Sequence, residues 1–469
     1  MSSTKLQFGP DLQYMLAETL LAHLVSTGNG DDFWDPVVLS TLLSLRLASR
    51  HLSTSHKINS VLFEQITFQC TAENLTLLIQ TCWTSIGPFV HKINFVPSPH
   101  TEEMTLPPFQ KLLAILSQHV NEYKLGYGGS VALRRYMRTH WSGRVPTSEI
   151  EVLAAFECYK LRAHADDNVI LAGFMRRHWV DALRSMPHVT EFNLRSLIRH
   201  HPLHFTGADF GIGEENENCF DCHDARCLLR DVSKHSAHGL CTLTIECLTA
   251  AGTQITALTI DSELIQDSPL SSPWGRLSLR SLKSLCLTTP GFHEEDSQFQ
   301  ENLEGIKTVL QFMLHECHDS LQELSFYQNS AYQSASYNIG LDLEFPRLER
   351  LYIEGLDLPE SFAEDLLRFP ALQRISLNHC SPGDVEIPDE GWKALFHAVR
   401  APPNPVHLTF DLVYSQDSFE GCFEFNPAKA EENIREWCNV PNNEPEKVLF
   451  EFLLDQRPWD ETLQRWWEL

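Results

Sequence analysis

The chain has 469 residues, with 62 acidic against 36 basic side chains and a formal charge of −26 at neutral pH. That surplus opposes attachment to phosphate backbones and to anionic membrane surfaces, so neither nucleic acid nor membrane is expected as a partner. No basic leader with an apolar core opens the chain, no apolar run approaches the ~20 residues that span a bilayer, and the 13 cysteines keep no framework spacing, which together predict a cytoplasmic or nuclear protein with reduced thiols.

Residues 11–25, DLQYMLAETLLAHLV, set Leu12, Met15, Leu16, Leu20 and Leu24 on nearly one face of a helix, with Asp11 as its cap. The Gly-, Asn- and Asp-rich run 26–36 predicts a loop. The next helix carries Leu39, Leu42, Leu43, Leu45, Leu47 and Leu52 as its apolar set, while Arg46, Ser49 and Arg50 are expected to face away. Residues 58–70 then read as a short helix entering a first strand, where Ile66, Phe68 and Cys70 alternate.

From about residue 90, apolar residues recur at positions 1, 4 and 6 of a short window. The copies are Val90, Ile93, Phe95; Val189, Phe192, Leu194; Ile255, Leu258, Ile260; and Leu282, Leu285, Leu287. They continue as Leu321, Leu324, Phe326; Leu348, Leu351, Ile353; and Leu372, Ile375, Leu377, with Leu408 and Phe410 in a degenerate last strand. From Ile255 the starts lie 27, 39, 27 and 24 residues apart, mostly within the ~20–29 residue period of leucine-rich repeats, the 39 holding an insertion. Amphipathic segments fill the intervals, as in NLEGIKTVLQFMLHECHDS, whose Leu303, Ile306, Val309, Leu310, Met313 and Leu314 share a face. Helix, breaker and strand therefore recur as a unit that buries its apolar faces only by stacking. Residues 100–185 are compatible with one degenerate repeat or with several helices outside the solenoid.

In such a unit positions 1, 4 and 6 are buried, and positions 3, 5 and 7 project from a parallel sheet. The projecting candidates are Glu191, Asn193, Arg195, Ala257, Thr259, Asp261, Glu323, Ser325, Tyr327, Arg350, Tyr352, Glu354, Arg374, Ser376 and Asn378. Arginine and tyrosine anchor protein interfaces more often than other residues. The preferred contacts for a protein substrate are accordingly Tyr327, Arg350, Tyr352 and Arg374, with Glu354, Ser376 and Asn378 beside them.

Cys219, Cys222, His223 and Cys227 stand together in CFDCHDARC, followed by His235, His238 and Cys241. C-x-x-C can hold zinc on two thiolates, and C-x-x-C-H is also the attachment pattern of c-type haem, but that attachment takes place outside the reducing cytosol. Four zinc ligands can be drawn from residues 219–241, yet no second C-x-x-C or H-x3-H pair completes a finger. The segment reads as an acidic loop between repeats, and no metal or cofactor is assigned. His315 and His318 lack the H-E-x-x-H pattern and read as a polar helix end, while the glycines of LGYGGSVAL miss both phosphate-binding fingerprints. No catalytic constellation is completed, so the chain is not expected to be an enzyme. Trp459, Trp466 and Trp467 lie on a short amphipathic tail that reads as a cap for the last repeat.

The repeat copies resemble leucine-rich repeats of the long, irregular kind over residues of about 90 to 415, most closely in FPRLERLYIEGLDLPESFAEDLLRFPALQRISLNHCSP. The opening helices resemble an F-box. LAETLLAHLV (16–25), LLSLRLASRHLS (42–53) and VLFEQITF (61–68) follow, in order, that family's leucine-rich helix, its leucine-arginine-leucine-valine-serine-arginine helix, and its phenylalanine and strand. Ala17 stands where the family has proline, and residues 26–36 lengthen the first loop.

The resemblance implies an α/β protein. A small helical F-box-like module occupies 1–70 and an irregular leucine-rich-repeat solenoid 71–415, with a curved parallel sheet, outer helices and the acidic insertion near 207–241; 416–469 form a C-terminal cap. It further implies that Leu16, Ala17, Leu20, Leu21, Leu24, Leu42, Leu43, Leu45 and Leu47 build the surface that docks a Skp-type adaptor and, through it, a cullin scaffold. Such a chain is the substrate-recognition subunit of an SCF-type cullin-RING ubiquitin ligase. It does no chemistry itself and raises the effective concentration of a bound substrate's lysines near the ligase. The alternative is a leucine-rich-repeat scaffold that binds partners without ligase association.

Overall fold

The computed structural model describes Ser44, Arg46, Leu52 and residues 55–98, 100, 102, 104–111, 113–114, 146–171, 173–195, 240–261, 273–290, 309–329, 335–336, 343–354, 356–358, 361–378, 380–382, 388–400, 406–412, 421–425, 449, 451–453 and 458. Along these residues the strands are β1 (Gln65–Gln69), β2 (Lys92–Val96), β3 (Glu191–Leu194), β4 (Ala257–Asp261), β5 (Ser284–Pro290), β6 (Glu323–Asn329) and β7 (Ala335–Ser336). They continue with β8 (Arg350–Glu354), β9 (Leu356–Leu358), β10 (Arg374–Asn378), β11 (Ser381–Pro382), β12 (His407–Leu412) and β13 (Gly421–Phe425).

Strand alternation converts the repeated apolar spacing into lines of side chains that cross the sheet. Pairing is in register, so Ile66, Ile93, Phe192, Leu258, Leu285, Leu324, Leu351, Ile375 and Leu408 form one line. Phe68, Phe95, Leu194, Ile260, Leu287, Phe326, Ile353 and Leu377 form a second. A one-residue slip in any strand would turn both of its apolar side chains to the opposite face, which is what pins the register. The described residues form a sheet in the order β1-β2-β3-β4-β5-β6-β8-β10-β12-β13, in which the first nine strands are parallel and β13 runs antiparallel along the edge of β12. Successive strands lie side by side, so the sheet is open and grows by one strand per repeat, as a solenoid does.

Helices cover the apolar face. They include α1 (His56–Leu62), α2 (Ala72–Gln80), α3 (Glu149–Leu171) and α4 (Phe174–Arg184), then α5 over 240–251, α6 over 309–317, α7 (Phe362–Leu366) and α8 (Pro388–Arg400). Trp179 of α4, Leu248 of α5, Met313 and Leu314 of α6, Phe362 of α7 and Phe396 of α8 all enter the single core. At the N-terminal end this core is aromatic, with Trp179 at 5.4 Å from Phe68 and 5.1 Å from Phe95 between ring centroids. α4 takes the helix position ahead of β3, while α3 is an additional helix packed on α2 and α4. Gly173, at φ +70°, makes the break between α3 and α4.

A second ladder follows the main one, in which the short strand β9 pairs in parallel with β7 and with β11. Between β10 and β11 lies Cys380, buried, whose thiol donates to the backbone carbonyl of Ile353 in the preceding repeat at 3.4 Å and to that of Asn378 at 3.2 Å. Here a side chain meets backbone as the chain leaves the sheet. At the C-terminal end Leu449, Phe452 and Leu453 are buried, with Phe452 edge-on to His397 at 5.0 Å and beneath the Arg400 guanidinium at 4.5 Å.

Two features depart from the reading of the sequence alone. β1, assigned by pattern to the N-terminal module, is the first strand of the parallel sheet. Arg46, expected to face away, turns toward α1: its Nε donates to Asn59 Oδ1 at 2.9 Å and its guanidinium lies over the Phe63 ring at 4.9 Å. A guanidinium stacks on an aromatic face as readily as it hydrates, and periodicity does not record that choice. Among the described residues no helix is long and apolar enough to cross a membrane.

Candidate protein-binding face

The opposite face of the sheet is polar, and its side chains also fall into lines. One runs Ser284, Glu323, Arg350, Arg374, His407; the next Cys286, Ser325, Tyr352, Ser376, Thr409; the third Thr288, Tyr327, Glu354, Asn378. Neighbouring strands sit ~4.8 Å apart, so residues far apart in the chain become lateral neighbours.

The face divides into a closed and an open half. Toward β2 and β3, Asn94 and Asn193 are 2% and 3% exposed, and the Asn193 amide donates to Asn94 Oδ1 at 2.7 Å. Asp261 on β4 and Thr288 on β5 are buried too, and Arg195 approaches Asp261 at 3.9 Å. Asn193 and Asp261, expected to project, are therefore interior polar groups, whereas Glu191 is exposed and Ala257 and Thr259 are half-buried.

From β6 onward the face opens. Arg350 keeps 58% of its side chain exposed and reaches Glu323 at 3.5 Å. Arg374, its lateral neighbour, is exposed and makes no ion pair with any described residue. Tyr327 and Tyr352 stack with ring centroids 4.5 Å apart. The Tyr352 hydroxyl donates to Glu354 Oε2 at 2.5 Å and accepts from Asn378 Nδ2 at 2.8 Å, which locks the ring in place. Burial, followed by the Glu354 hydrogen bond and charge, drives the Tyr352 phenol well above its ordinary range; burial, with Cys286 and Glu354 next, pushes Tyr327 up to about 12. Both phenols therefore remain neutral across the physiological range. Ser325 and Ser376, each 9% exposed, sit low between larger neighbours. The structure thus brings Tyr327, Arg350, Tyr352, Glu354, Arg374 and Asn378 onto one surface, with Ser376 as its floor.

Leu16, Ala17, Leu20, Leu21, Leu24, Leu42, Leu43, Leu45 and Leu47 lie outside the described residues, as do Cys219, Cys222, His223 and Cys227 and the tail tryptophans. Cys241, the last of the ligands that the sequence offers for zinc, belongs to the core, where burial raises its thiol well above the ordinary range. His318 Nδ1 donates to the His315 carbonyl at 2.8 Å, closing the end of α6. Among the described residues no group of three His, Cys, Asp or Glu side chains is placed to hold a metal ion.

One cluster escaped the pattern reading. Asp166 of α3 is buried and accepts from the Ala72 backbone N–H at 2.8 Å, from Ser98 Oγ at 2.6 Å and from His100 Nδ1 at 2.9 Å. The trio of serine, histidine and aspartate is not a nucleophile relay, because Ser98 gives its proton to the carboxylate and not to the imidazole. It is a tether, and its members are too far apart in sequence to form a motif. No protein-family model matches the chain, and no curated protein matches it at a significant level.

Proposed function

We propose that this chain is the substrate-recognition subunit of an SCF-type cullin-RING E3 ubiquitin ligase, holding a protein substrate on the open half of its polar face while its N-terminal helices dock a Skp-type adaptor. The observation that carries the recognition half is the set of Arg350, Tyr352, Arg374 and Asn378, placed in register on a rigid sheet with an aromatic stack at its centre. Residues of these types, held by strands and not by loops, keep their geometry before a partner arrives, which lowers the entropy lost on binding.

The adaptor half rests on the likeness of residues 16–68 to an F-box. Support for a packed N-terminal module comes from Leu52, which is fully buried, and from the grip of Arg46 on α1. In this arrangement the chain is a connector, and its contribution to ubiquitin transfer is effective concentration.

The second reading, a scaffold without ligase association, is favoured by Ala17 in place of the family's proline. Co-expression with a Skp-type adaptor separates the two. Co-elution through size exclusion, lost on Leu42→Asp with Leu45→Asp, is the expected result. Failure to co-elute, while the F-box of an established receptor succeeds in parallel, removes the ligase reading and leaves the scaffold.

A further inference from the structure

The charged groups on the open half of the polar face are not all engaged. Glu323 is held by Arg350, and Glu354 is taken up by the Tyr352 hydroxyl, whose second hydrogen bond comes from Asn378. Among the described residues of this half, the Arg374 guanidinium makes no ion pair; it is exposed and next to Arg350 on the adjoining strand. A flat guanidinium presents paired N–H donors that match the two oxygens of a carboxylate. The stacked pair of Tyr327 and Tyr352 lies one line away, so an aromatic wall borders the cationic positions.

We propose that this surface binds an acidic segment of a protein partner, an aspartate or glutamate side chain being held by Arg374 with Arg350 while a flanking flat or apolar side chain rests on the tyrosine stack. The proposal rests on the recognition-face reading above and names the chemistry of its partner. Carboxylate is chosen over phosphate on electrostatic grounds. Arg350 is already engaged by Glu323, so the site offers about one uncompensated positive charge, which a monoanion balances and a dianion exceeds. Arg374, with Arg350 beside it, thus gives an acidic protein a cationic position on its polar face where an anionic side chain is attracted.

The test uses the full chain and four labelled pools of short peptides, randomised except at two central positions fixed as glutamate, phosphoserine, lysine or glutamine, with binding read by fluorescence anisotropy. The glutamate pool is expected to bind best, and Arg374→Glu to weaken it by about tenfold or more, since loss of one close charge pair is worth at least a decade. Arg177→Glu, on the exposed side of α4, makes the same change in net charge away from the sheet and is expected to leave binding within about twofold, because its distance exceeds the screening length. A stronger phosphoserine pool would overturn the choice of carboxylate. Preference for lysine or glutamine, or equal effects of Arg374→Glu and Arg177→Glu, would overturn the acidic-segment proposal while leaving a peptide-binding face in place. No binding by any pool would overturn the recognition face itself.

Discussion

Cys380 shows how a single side chain ties one repeat to the next. Its thiol lies in the interior and reaches back to the Ile353 carbonyl on β8, at the point where the sheet ends. Losing one hydrogen bond costs about 0.5–1.5 kcal/mol, and the small volume vacated adds to it. Cys380→Ala is therefore expected to destabilise the chain by roughly 1–3 kcal/mol in urea unfolding, whereas Cys380→Ser, which restores a donor in nearly the same place, loses less. Equal losses for alanine and serine would show that packing and not the hydrogen bond sets the cost. Tyr352 is the corresponding residue on the polar face, since its hydroxyl joins β8 to Asn378 on β10 and its ring joins β8 to Tyr327 on β6.

Among the elements, α3 stands apart because it carries a buried carboxylate that gathers its neighbours. Asp166 meets the first N–H of α2, the Ser98 hydroxyl and the His100 ring at one buried point, so the start of α2 and the segment 98–100 both converge on it. Asp166→Ala strands all three donors, and removing one partner from such a network typically costs about 3–5 kcal/mol. The expected signature is local as well as global: amides of α3 should exchange faster with solvent than those of β4 and β5, which lie beyond the tether. Uniform acceleration across the sheet would mean that α3 is part of the same cooperative unit as the solenoid. The difference between the legible and illegible parts of the fold has the same origin. Strands such as Arg350–Glu354 and Arg374–Asn378 were readable because alternation is a local property, and Val309, Leu310, Met313 and Leu314 marked α6 through helical spacing. α3 offers no such stripe: Ile150 and Leu161 are exposed while Tyr159 and Asp166 are buried, so its placement is set by partners distant in sequence. The same reasoning covers the polar face, where Arg350, Tyr352 and Arg374 followed from the repeat, but the burial of Asn94 and Asn193 did not, because residue type alone predicts exposure for both.

At the scale of the whole molecule, an open parallel sheet has two edges, and each is a row of unpaired backbone groups ready to recruit another strand. The C-terminal edge of the parallel strands is covered by β13, which pairs antiparallel with β12 from Leu408↔Phe425 to Leu412↔Gly421 and is itself the last strand of the sheet. Beyond it, Leu449, Phe452 and Leu453 bury themselves, and Phe452 is clasped between His397 and Arg400 of α8. A terminal repeat has no following neighbour, so its outward surface needs a cover of a different kind, and these two features supply it for strand and helix respectively. Deleting residues 413–469 removes both at once. The truncated chain is expected to melt at a lower temperature than the full chain and to shift toward larger species with rising concentration, as the bared edge of β12 pairs with other copies; differential scanning calorimetry and light scattering after size exclusion read the two effects. Restoring β13 alone, by ending the chain after residue 425, should suppress the association and leave most of the thermal loss, because edge pairing and apolar cover are separate contributions. A truncated chain that keeps both the melting temperature and the size of the full one would show that the last repeat closes itself, and that neither β13 nor residues 449–453 act as its cap.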